Sequence, residues 1–284
     1  MTISDVTIRP GRPDDAAACG ELLHETFGHL ADSHGFQREF GSPQVAASWV
    51  AGILCHPSFR SWMADSGGRL VGCNFLDERT EFSGLGPVAV SPASQNHGLG
   101  ARLMLEAHRR AEERGASGIR LVQDGYNVVS LALYAKMGYV VREPLIVMSG
   151  SPLGGETGRA ATDVDIEACA ALCTDVLHFD RSVEIREAVS KGIARVVERD
   201  GQLTGYTTGF GYEGHAVARS WTDVKDLIAG SDTIDSPGFV VPTRNSDLLA
   251  WCLSRGFRIR HPVNLMTFGA YAEPCGAFLP TVLG

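Results

Sequence analysis

The sequence predicts a mixed α/β fold that is built twice along the chain. Short apolar runs typical of strands alternate with longer runs in which apolar residues recur at helical spacing. A stretch rich in glycine and proline, residues 149–158, separates two apolar halves. A segment of the first half also recurs in the second half, which is the mark of a duplicated unit.

The composition excludes several classes of protein. Of the 284 residues, 44% are apolar and 20% are charged, so each half can bury a core. The net charge is −8 and acidic residues outnumber basic ones in both halves, which argues against a nucleic-acid partner. The sequence contains neither an apolar run of about 18 residues nor a signal-peptide pattern at its start. The seven cysteines are not tightly clustered, as is typical of reduced thiols, so we expect a cytoplasmic protein.

The first half shows an ordered succession of elements. Pro13 and the two acidic residues after it predict the start of a helix that runs to about His29. Periodicity and turn residues predict the elements that follow: a helix over Pro43–Cys55, a hairpin of 59–64 and 70–76, a strand over 85–90, a helix over 98–114, a strand over 118–122, a short helix over 130–137, and two short strands within 139–148 that are broken at Pro144.

The internal repeat relates residues 127–148 to residues 245–266. Seven of the 22 aligned positions are identical, among them Asn127 with Asn245 and Gly138 with Gly256. Average composition would give about one or two identities. We therefore predict a first domain over residues 1–149, a linker over 150–160, and a second copy over 161–284 that is shortened in its middle.

Residues 88–101 carry the pattern that most directly suggests chemistry. A strand ends at Val90, a turn follows, and Gly98 and Gly100 stand at the start of a long amphipathic helix. The free N–H groups and the dipole at a helix start favour a phosphate or pyrophosphate. An ordinary glycine-containing turn between a strand and a helix explains the spacing equally well.

Two motifs together resemble those of a known family. The segment QNHGLGA, residues 95–101, resembles the pyrophosphate loop of the GNAT superfamily of N-acetyltransferases. The segment NVVSLALYAKMGY, residues 127–139, resembles the second acetyl-CoA motif of that superfamily. The resemblance covers most of residues 3–150 and extends weakly over 160–270. It implies two GNAT-like domains, each with a mixed, mostly antiparallel central sheet flanked by helices.

The resemblance also implies a site in the first copy. The pantetheine arm and thioester of acetyl-CoA would lie along the backbone of Val88, Ala89 and Val90, where an N–H would polarise the thioester carbonyl. The pyrophosphate would be held by Gln95, Asn96, His97, Gly98, Leu99, Gly100 and Ala101. Asn127 would hydrogen-bond the cofactor arm, and Tyr134 would be the general acid toward the departing thiolate. Many members of the superfamily have another glycine in place of Asn96. The alternative to a catalytic role for Tyr134 is that of an aromatic residue packed on an amphipathic helix.

The resemblance does not identify the general base. Asp77, Glu78 and Glu81 follow the strand that would border the site, and we choose Glu78 among them. A solvated hairpin rim, with Arg79 as ion partner, is the alternative. Each histidine of the first helix and the loop after it is either another candidate base or a packing residue: His24, His29 and His34.

The second copy lacks most of these residues. Cys252 stands where the first copy has Tyr134, and no Gly-x-Gly precedes the helix after residue 219. Ser220 or Thr222 is expected to cap that helix. We therefore predict a degenerate GNAT-like domain that serves packing or forms a wall of the acceptor site.

Three other features are assigned to structure rather than to chemistry. GFGYEG, residues 209–214, is read as a hairpin turn and not as a dinucleotide site, because a strand follows it. Cys169 and Cys173 are expected to be buried thiols, and we expect no metal site. The apolar tail, residues 273–284, should dock on the protein. A surface strap is the preferred interpretation, and packing across the domain interface near the acceptor site is the alternative.

These features predict acetyl-CoA-dependent transfer of an acetyl group to a primary amine of a small molecule or peptide, by direct attack. A non-catalytic acyl-CoA-binding sensor is one alternative, and an O-acyl or longer-acyl transferase is another. The acidic balance of charge favours cationic amines. We expect neither nucleic acid nor a membrane as partner, and homodimer formation is left open.

Overall fold

The computed structural model describes residues 6–284, so the first five positions of the predicted N-terminal domain lie outside the described residues. The elements of the first half are β1 Val6–Pro10, α1 Ala16–Ser33, α2 Pro43–Cys55, β2 Phe59–Ser66, β3 Arg69–Asp77, β4 Ser83–Leu85, β5 Ala89–Val90, α3 Leu99–Glu113, β6 Gly118–Asp124, α4 Val128–Lys136 and β7 Val140–Ser149. Those of the second half are β8 Arg159–Ala160, α5 Ile166–Leu177, α6 Ser182–Ser190, β9 Arg195–Arg199, β10 Gln202–Thr207, β11 Ala216–Ala218, α7 Trp221–Ala229, β12 Phe239–Pro242, α8 Ser246–Ser254, β13 Arg258–Gly269 and β14 Ala277–Leu279.

Two sheets organise these elements. The larger one has the order β1-β2-β3-β4-β6-β13-β7-β12, with β5 paired to β3, and the smaller one has the order β14-β11-β10-β9-β8. The strands pair antiparallel except for β4 and β6, which run parallel. Helices pack on both sheets, α1 and α3 on β3 and α5 and α7 on β10. The predicted fold class, a mixed and mostly antiparallel sheet architecture flanked by helices, is confirmed.

Local sequence accounts for the bounds of several elements. The Ser42 hydroxyl accepts a hydrogen bond from the Val45 N–H, so α2 begins at Pro43. The helix ends at Cys55, and both bounds are as predicted. Gly67 and Gly68 have φ values of 57° and 80°, which lets the chain turn tightly between β2 and β3. The helix predicted after Pro13 opens with a single 3-10 turn and continues as α1 to Ser33.

The strand predicted over 85–90 is interrupted. β4 pairs with β6 only through Ser83 and Gly84, whereas β5 pairs with β3 and not with β6. Pro87 has no N–H to offer a ladder, and the Gly86 N–H donates to the Phe75 carbonyl on β3. The chain therefore leaves β6 after Gly84, and a gap opens between residues 85–90 and β6. We call this opening the β4–β6 gap.

The prediction of two short strands broken at Pro144 is wrong, because β7 is one ten-residue strand. Its pairing with β12 begins at Leu145, one residue after the proline. The missing N–H of Pro144 therefore costs no bond to β12. The Pro144 carbonyl still accepts from the N–H and the hydroxyl of Thr243.

The two halves exchange strands at the centre of the larger sheet. β13 of the second half lies between β6 and β7 of the first half, and β7 in turn lies between β13 and β12. Leu145 pairs with Val263, and the pairs on either side are related by the same shift as the sequence repeat, so a pseudo-twofold axis passes through this pair. The caps of α4 and α8 also match. Asn127 has φ −86° and ψ 79°, and Asn245 has φ −88° and ψ 80°. This symmetry supports the duplication, while the boundary near residues 150–160 stays a prediction.

The tail crosses from one half to the other and is not the surface strap that we preferred. β14 pairs with β11 in the smaller sheet. Beyond it, the Val282 N–H donates to the Tyr212 carbonyl at 2.8 Å, and the Val282 carbonyl accepts from the Val122 N–H on β6 at 3.2 Å. The alternative interpretation, packing across the interface, describes the structure.

The strand exchange predicts that both halves unfold together. Leu145 is 1% exposed at the pseudo-twofold axis, so Leu145→Ala should lower the free energy of unfolding by about 2–5 kcal/mol. Urea unfolding followed by tryptophan fluorescence should therefore show a single transition. The fluorescence reports on both halves, because Trp62 lies in the first and Trp221 in the second.

Leu105→Ala is the matched control, because Leu105 is 59% exposed on α3 and its truncation should change stability by no more than about 0.5 kcal/mol. Two separate transitions in the wild-type protein would contradict the mutual dependence of the halves.

Candidate functional site

A cavity of about 670 Å³ lies between the two halves. The first half contributes the connection between α1 and α2, the segment after β4, the end of β6, and α4. The second half contributes α6, the turn between β10 and β11, and residues 235–237. The cavity therefore has walls from both copies of the repeat.

One end of the cavity opens at the β4–β6 gap. Val88 lines the cavity, Ala89 is buried and paired with Cys73, and the Val90 carbonyl accepts from Gln95 Nε2 at 2.9 Å. In the described chain, no strand pairs with the side of residues 86–90 that faces β6. Backbone groups on this edge are available to an extended ligand, as the resemblance requires of the strand that holds a pantetheine arm.

The loop before α3 fits an anionic group. Asn96 and Gly98 have φ values of 63° and 79°, so the chain turns sharply and the N–H groups of the first helical turn lack intrahelical acceptors. A β-carbon at position 98 would have no atom within 4 Å, so the space in front of this turn is open. The loop residues Gln95, Asn96, His97 and Gly98 are exposed, and Leu99 is buried where the helix begins; Gly100 and Ala101 continue its first turn. Free N–H groups and open space at a helix start are the features that a phosphate group requires.

Helix α4 brings the residues of the second motif to the same cavity. Asn127 caps the helix, since its Oδ1 accepts from the Ser130 N–H at 3.1 Å, and both residues line the cavity. Tyr134 lies one helical turn after Ser130 and two turns after Asn127. It is 8% exposed and also lines the cavity. Burial raises the pKa of the Tyr134 hydroxyl above its usual value, and the negative charge of Asp124 adds to this. The hydroxyl therefore keeps its proton at neutral pH.

Glu78 does not lie in the cavity. Its carboxylate accepts from Arg110 Nε at 2.6 Å and from Arg110 Nη2 at 2.9 Å, on the α3 side of the sheet. Asp77 is bound to Arg79, and Glu81 is also absent from the cavity lining. The expectation of Glu78 as general base has no support in this arrangement. The three histidines named as candidates, His24, His29 and His34, do not line the cavity either.

Six carboxylates line the cavity, none of them a candidate from the sequence, and two of the six belong to the first half. Glu39 lies between α1 and α2, and Asp124 is the last residue of β6. Burial and the nearby charge of Asp124 raise the pKa of Glu39 to about 8. Asp124 Oδ1 lies 3.4 Å from His261 Nε2. The sequence offered a signal for Asp124, which ends a strand just before the Asn127 motif, but none for Glu39, which stands in a polar loop.

The wall from the second half is fixed by an ion network. Arg79 Nη1 donates to Glu187 at 2.9 Å, and Arg79 Nη2 lies 3.6 Å from Glu184, both on α6. His56 Nε2 lies 2.9 Å from the other oxygen of Glu187. The GFGYEG segment is the turn between β10 and β11, as predicted, and it carries cavity residues from 209 to 214. Trp49 of the first half donates from Nε1 to Glu213 of this turn.

The second copy has no equivalent opening. The Ser220 hydroxyl accepts from the Asp223 N–H and caps α7, as expected. β11, the strand before α7, pairs with β14, so the tail covers the edge that is open in the first copy. Cys252 is buried, and burial raises the pKa of its thiol to about 12. These contacts support a degenerate second copy.

Neither a metal site nor a membrane span emerges from the part of the chain that the structure describes. Within residues 6–284, no group of three or more His, Cys, Asp or Glu side chains is arranged to hold a metal ion. Cys169 and Cys173 are buried, as expected. None of the helices in this range has both the length and the apolar character needed to cross a membrane.

Comparisons with known proteins agree with the motifs and the fold. The family model for the Acetyltransferase (GNAT) family matches residues 21–139. The mycothiol acetyltransferase of Tsukamurella paurometabola is 27% identical over 144 residues, which are 49% of this chain and 49% of that protein. The match therefore spans about half the length of this curated relative.

Solved structures cover nearly the whole chain. A candidate acetyltransferase from Pyrococcus horikoshii has a TM-score of 0.75 at 15% identity and covers 97% of this chain and 95% of its own. A GCN5-related N-acetyltransferase from Sphaerobacter thermophilus has a TM-score of 0.66 at 13% identity, with coverage of 98% and 100%. At such identities these likenesses concern the fold. The family model therefore marks an acetyltransferase (GNAT) domain within residues 21–139, and the structural likenesses show that the shared fold extends over nearly the whole chain.

Proposed function

We propose that the protein transfers an acetyl group from acetyl-CoA to a primary amine of a cationic small molecule or peptide. The observation that carries this proposal is a single cavity that joins the open strand edge and Tyr134 to carboxylates from both halves. Acetyl-CoA supplies the activated acetyl group as a thioester. The backbone edge at 86–90, the N–H groups before α3, and the Asn127 amide are the groups that would bind it.

Tyr134 is the proposed general acid. Its raised pKa keeps the hydroxyl protonated at neutral pH, so it has a proton to donate to the departing thiolate. Tyr134 lines the cavity on α4, whereas Tyr139, whose ring centre lies 5.7 Å away, bonds to His108 and is absent from the lining. The roles of the two neighbouring tyrosines are therefore separable.

Glu39 is the proposed general base in place of Glu78. Glu39 lines the cavity, and the charge of Arg260 lowers its pKa less than burial and Asp124 raise it, whereas the carboxylate of Asp124 lies 3.4 Å from His261. A pKa of about 8 is close to the working range of a base that must accept a proton from an ammonium group near neutrality. Asp124 contributes by raising that pKa through its negative charge.

The lining of the cavity favours an acceptor with positive charge. Six carboxylates line it against two cations, Arg79 and Lys191, and Arg79 is already bound to acidic partners. Aromatic side chains stand among the carboxylates: Phe27, Phe40, Trp49 and Tyr212. An ammonium group gains both from the carboxylates and from the aromatic faces in such a setting.

One acetyl-CoA should bind per chain, and Gly98→Asp should weaken that binding. A carboxylate at this position would repel the pyrophosphate at the start of α3, so the dissociation constant measured by calorimetry should rise by about tenfold or more. Gly115→Asp is the matched control. Gly115 stands at the other end of α3 with a similar φ of 69° and equally open space, so the backbone strain is the same but the site is remote. Two sites per chain would contradict the degenerate second copy.

Tyr134→Phe should lower kcat by about 10²- to 10⁴-fold, because the leaving thiolate loses its proton donor. The affinity for acetyl-CoA, measured by calorimetry, should be retained. Tyr139→Phe, the same change on the neighbouring ring, should leave kcat near the wild-type value. Equal turnover in the Tyr134 variant would remove the tyrosine from the mechanism. Binding of acetyl-CoA without turnover of any amine by the wild-type protein would instead favour a sensor.

The rate should rise with pH through about 8, since Glu39 accepts a proton only when its carboxyl group is ionised. Below this pKa the group is protonated, and kcat/KM should fall by tenfold per pH unit. Glu39→Gln should lower kcat/KM by about 10²-fold or more and abolish this pH dependence. Glu78→Gln provides the comparison, because it breaks the pair with Arg110 outside the cavity. If the fall of kcat/KM at low pH disappears in the Glu78 variant but remains in the Glu39 variant, Glu78 is the base and Glu39 is not.

A further inference from the structure

The tail enters the cavity at the closed end of the β4–β6 gap. β4 and β6 are still paired at Gly84 and Arg120, and the gap widens from there toward Val90. Val282 is bonded to β6 at Val122, just beyond that last pair. Leu283 follows, is 6% exposed, and lines the cavity. A residue of the second half thus fills the narrow end of an opening in the first half.

Glycines on the facing strand allow this close approach. A β-carbon at position 84 would lie 3.0 Å from the Leu283 Cβ, and one at position 86 would lie 3.6 Å from the Leu283 Cδ2. The Leu283 side chain is therefore packed directly against the strand segment that precedes Pro87 and Val88. Leu85, Leu121 and Val147 also line the cavity and complete an apolar floor there.

The position of Leu283 is fixed by contacts on both sides. The Gly284 carbonyl accepts from Arg181 Nη1 at 3.0 Å, and Arg181 is in turn bound to Glu184 by two hydrogen bonds of 2.7 and 2.8 Å. Val282 is held at Tyr212 and at β6, as described above. The end of the tail is thus tied to α6, to the β10–β11 turn and to β6, and Leu283 forms a defined surface.

We infer that Leu283 limits the length of the acyl group that the protein transfers and thereby selects acetyl over longer donors. This inference rests on the proposed function. A thioester that enters the gap from its wide end, with its carbonyl at residues 87–90, directs its acyl chain toward the narrow end. Each added methylene of the chain then meets the Leu283 side chain.

The chemical step is the same for every donor. The amine nitrogen forms a bond to the acyl carbon, and the bond from that carbon to sulfur breaks with its electron pair leaving on the thiolate. The ammonium form of the acceptor gives one proton to Glu39, and the resulting amine attacks. The thiolate takes the proton of Tyr134, and the second proton of the nitrogen returns to Tyr134 as the amide forms, so that the products are the amide, free coenzyme A and one proton on Glu39. A change at Leu283 therefore alters which acyl group fits and not the balance of the reaction.

The test compares kcat/KM for acetyl-, propionyl- and butyryl-CoA with one amine acceptor. The wild-type protein should discriminate against each added methylene by about 10-fold or more, and Leu283→Ala should recover at least about 10-fold of that loss for butyryl-CoA relative to acetyl-CoA. Leu283→Phe should reduce the use of propionyl-CoA further. Calorimetric affinities for the three donors provide a second readout that does not depend on turnover.

Leu279→Ala is the matched control. Leu279 belongs to the same tail and is 2% exposed, but it pairs with Ala216 in the smaller sheet and does not line the cavity. Its truncation should lower stability and leave the donor ratio unchanged. Leu283→Val is the milder variant to use if the alanine variant fails to fold, and its donor ratio should shift in the same direction.

The outcomes separate the two proposals. If the wild-type protein acetylates an amine and the Leu283 variants keep the wild-type donor ratio, the inference about Leu283 is wrong and the proposed function stands. If none of the three acyl-CoA donors binds or supports turnover, both the inference about Leu283 and the proposed function are wrong. A donor ratio that shifts equally in the Leu279 variant would also overturn the inference, because general loosening of the tail would then explain the change.

Discussion

The antiparallel pairing of β7 with β13 is the interaction on which the rest of the molecule depends. β7 belongs to the first half but lies between two strands of the second, and β13 belongs to the second half but lies between two strands of the first. Neither half can therefore form its part of the larger sheet alone. Without β13, β6 and β7 would expose unpaired edges. The same pairing brings α6 and the β10–β11 turn opposite the β4–β6 gap, and a cavity between the copies results.

Burial changes the acidity of two side chains in that cavity. Burial raises the pKa of Tyr134 and the pKa of Glu39, in both cases favouring the uncharged form. An uncharged tyrosine still has its proton to donate. A carboxylate whose conjugate acid has a pKa near 8 is a stronger base than that of an ordinary glutamate. Arg79 holds the walls of the cavity together, because its hydrogen bonds to Asp77 and Glu187 connect β3 to α6 across the boundary between the halves.

Features set by neighbouring residues could be predicted from the sequence, and features set by distant partners could not. The bounds of α2 follow from Ser42 and Pro43, and the glycine loop before α3 is a local pattern. The effect of Pro144 on β7 could not be predicted locally, because it depends on where β12 begins to pair. The pairing of Glu78 with Arg110 could not be predicted from the local sequence, because Arg110 comes from another element. Glu39 gained its character only from burial and from Asp124, neither of which is visible in a polar loop.

The position of β13 and of the tail also has a consequence for biosynthesis. Residues near the end of the chain complete a sheet and a cavity whose other parts are translated first. Contacts of such long sequence separation form late and slowly, since the intervening chain must be closed into a loop. A nascent chain on the ribosome can form α1, α2 and the β2–β3 hairpin, but it cannot assemble the cavity until residues 258–284 have emerged. Until then the edges of β6 and β7 lack their partner, and this interval is when the chain is most exposed to aggregation.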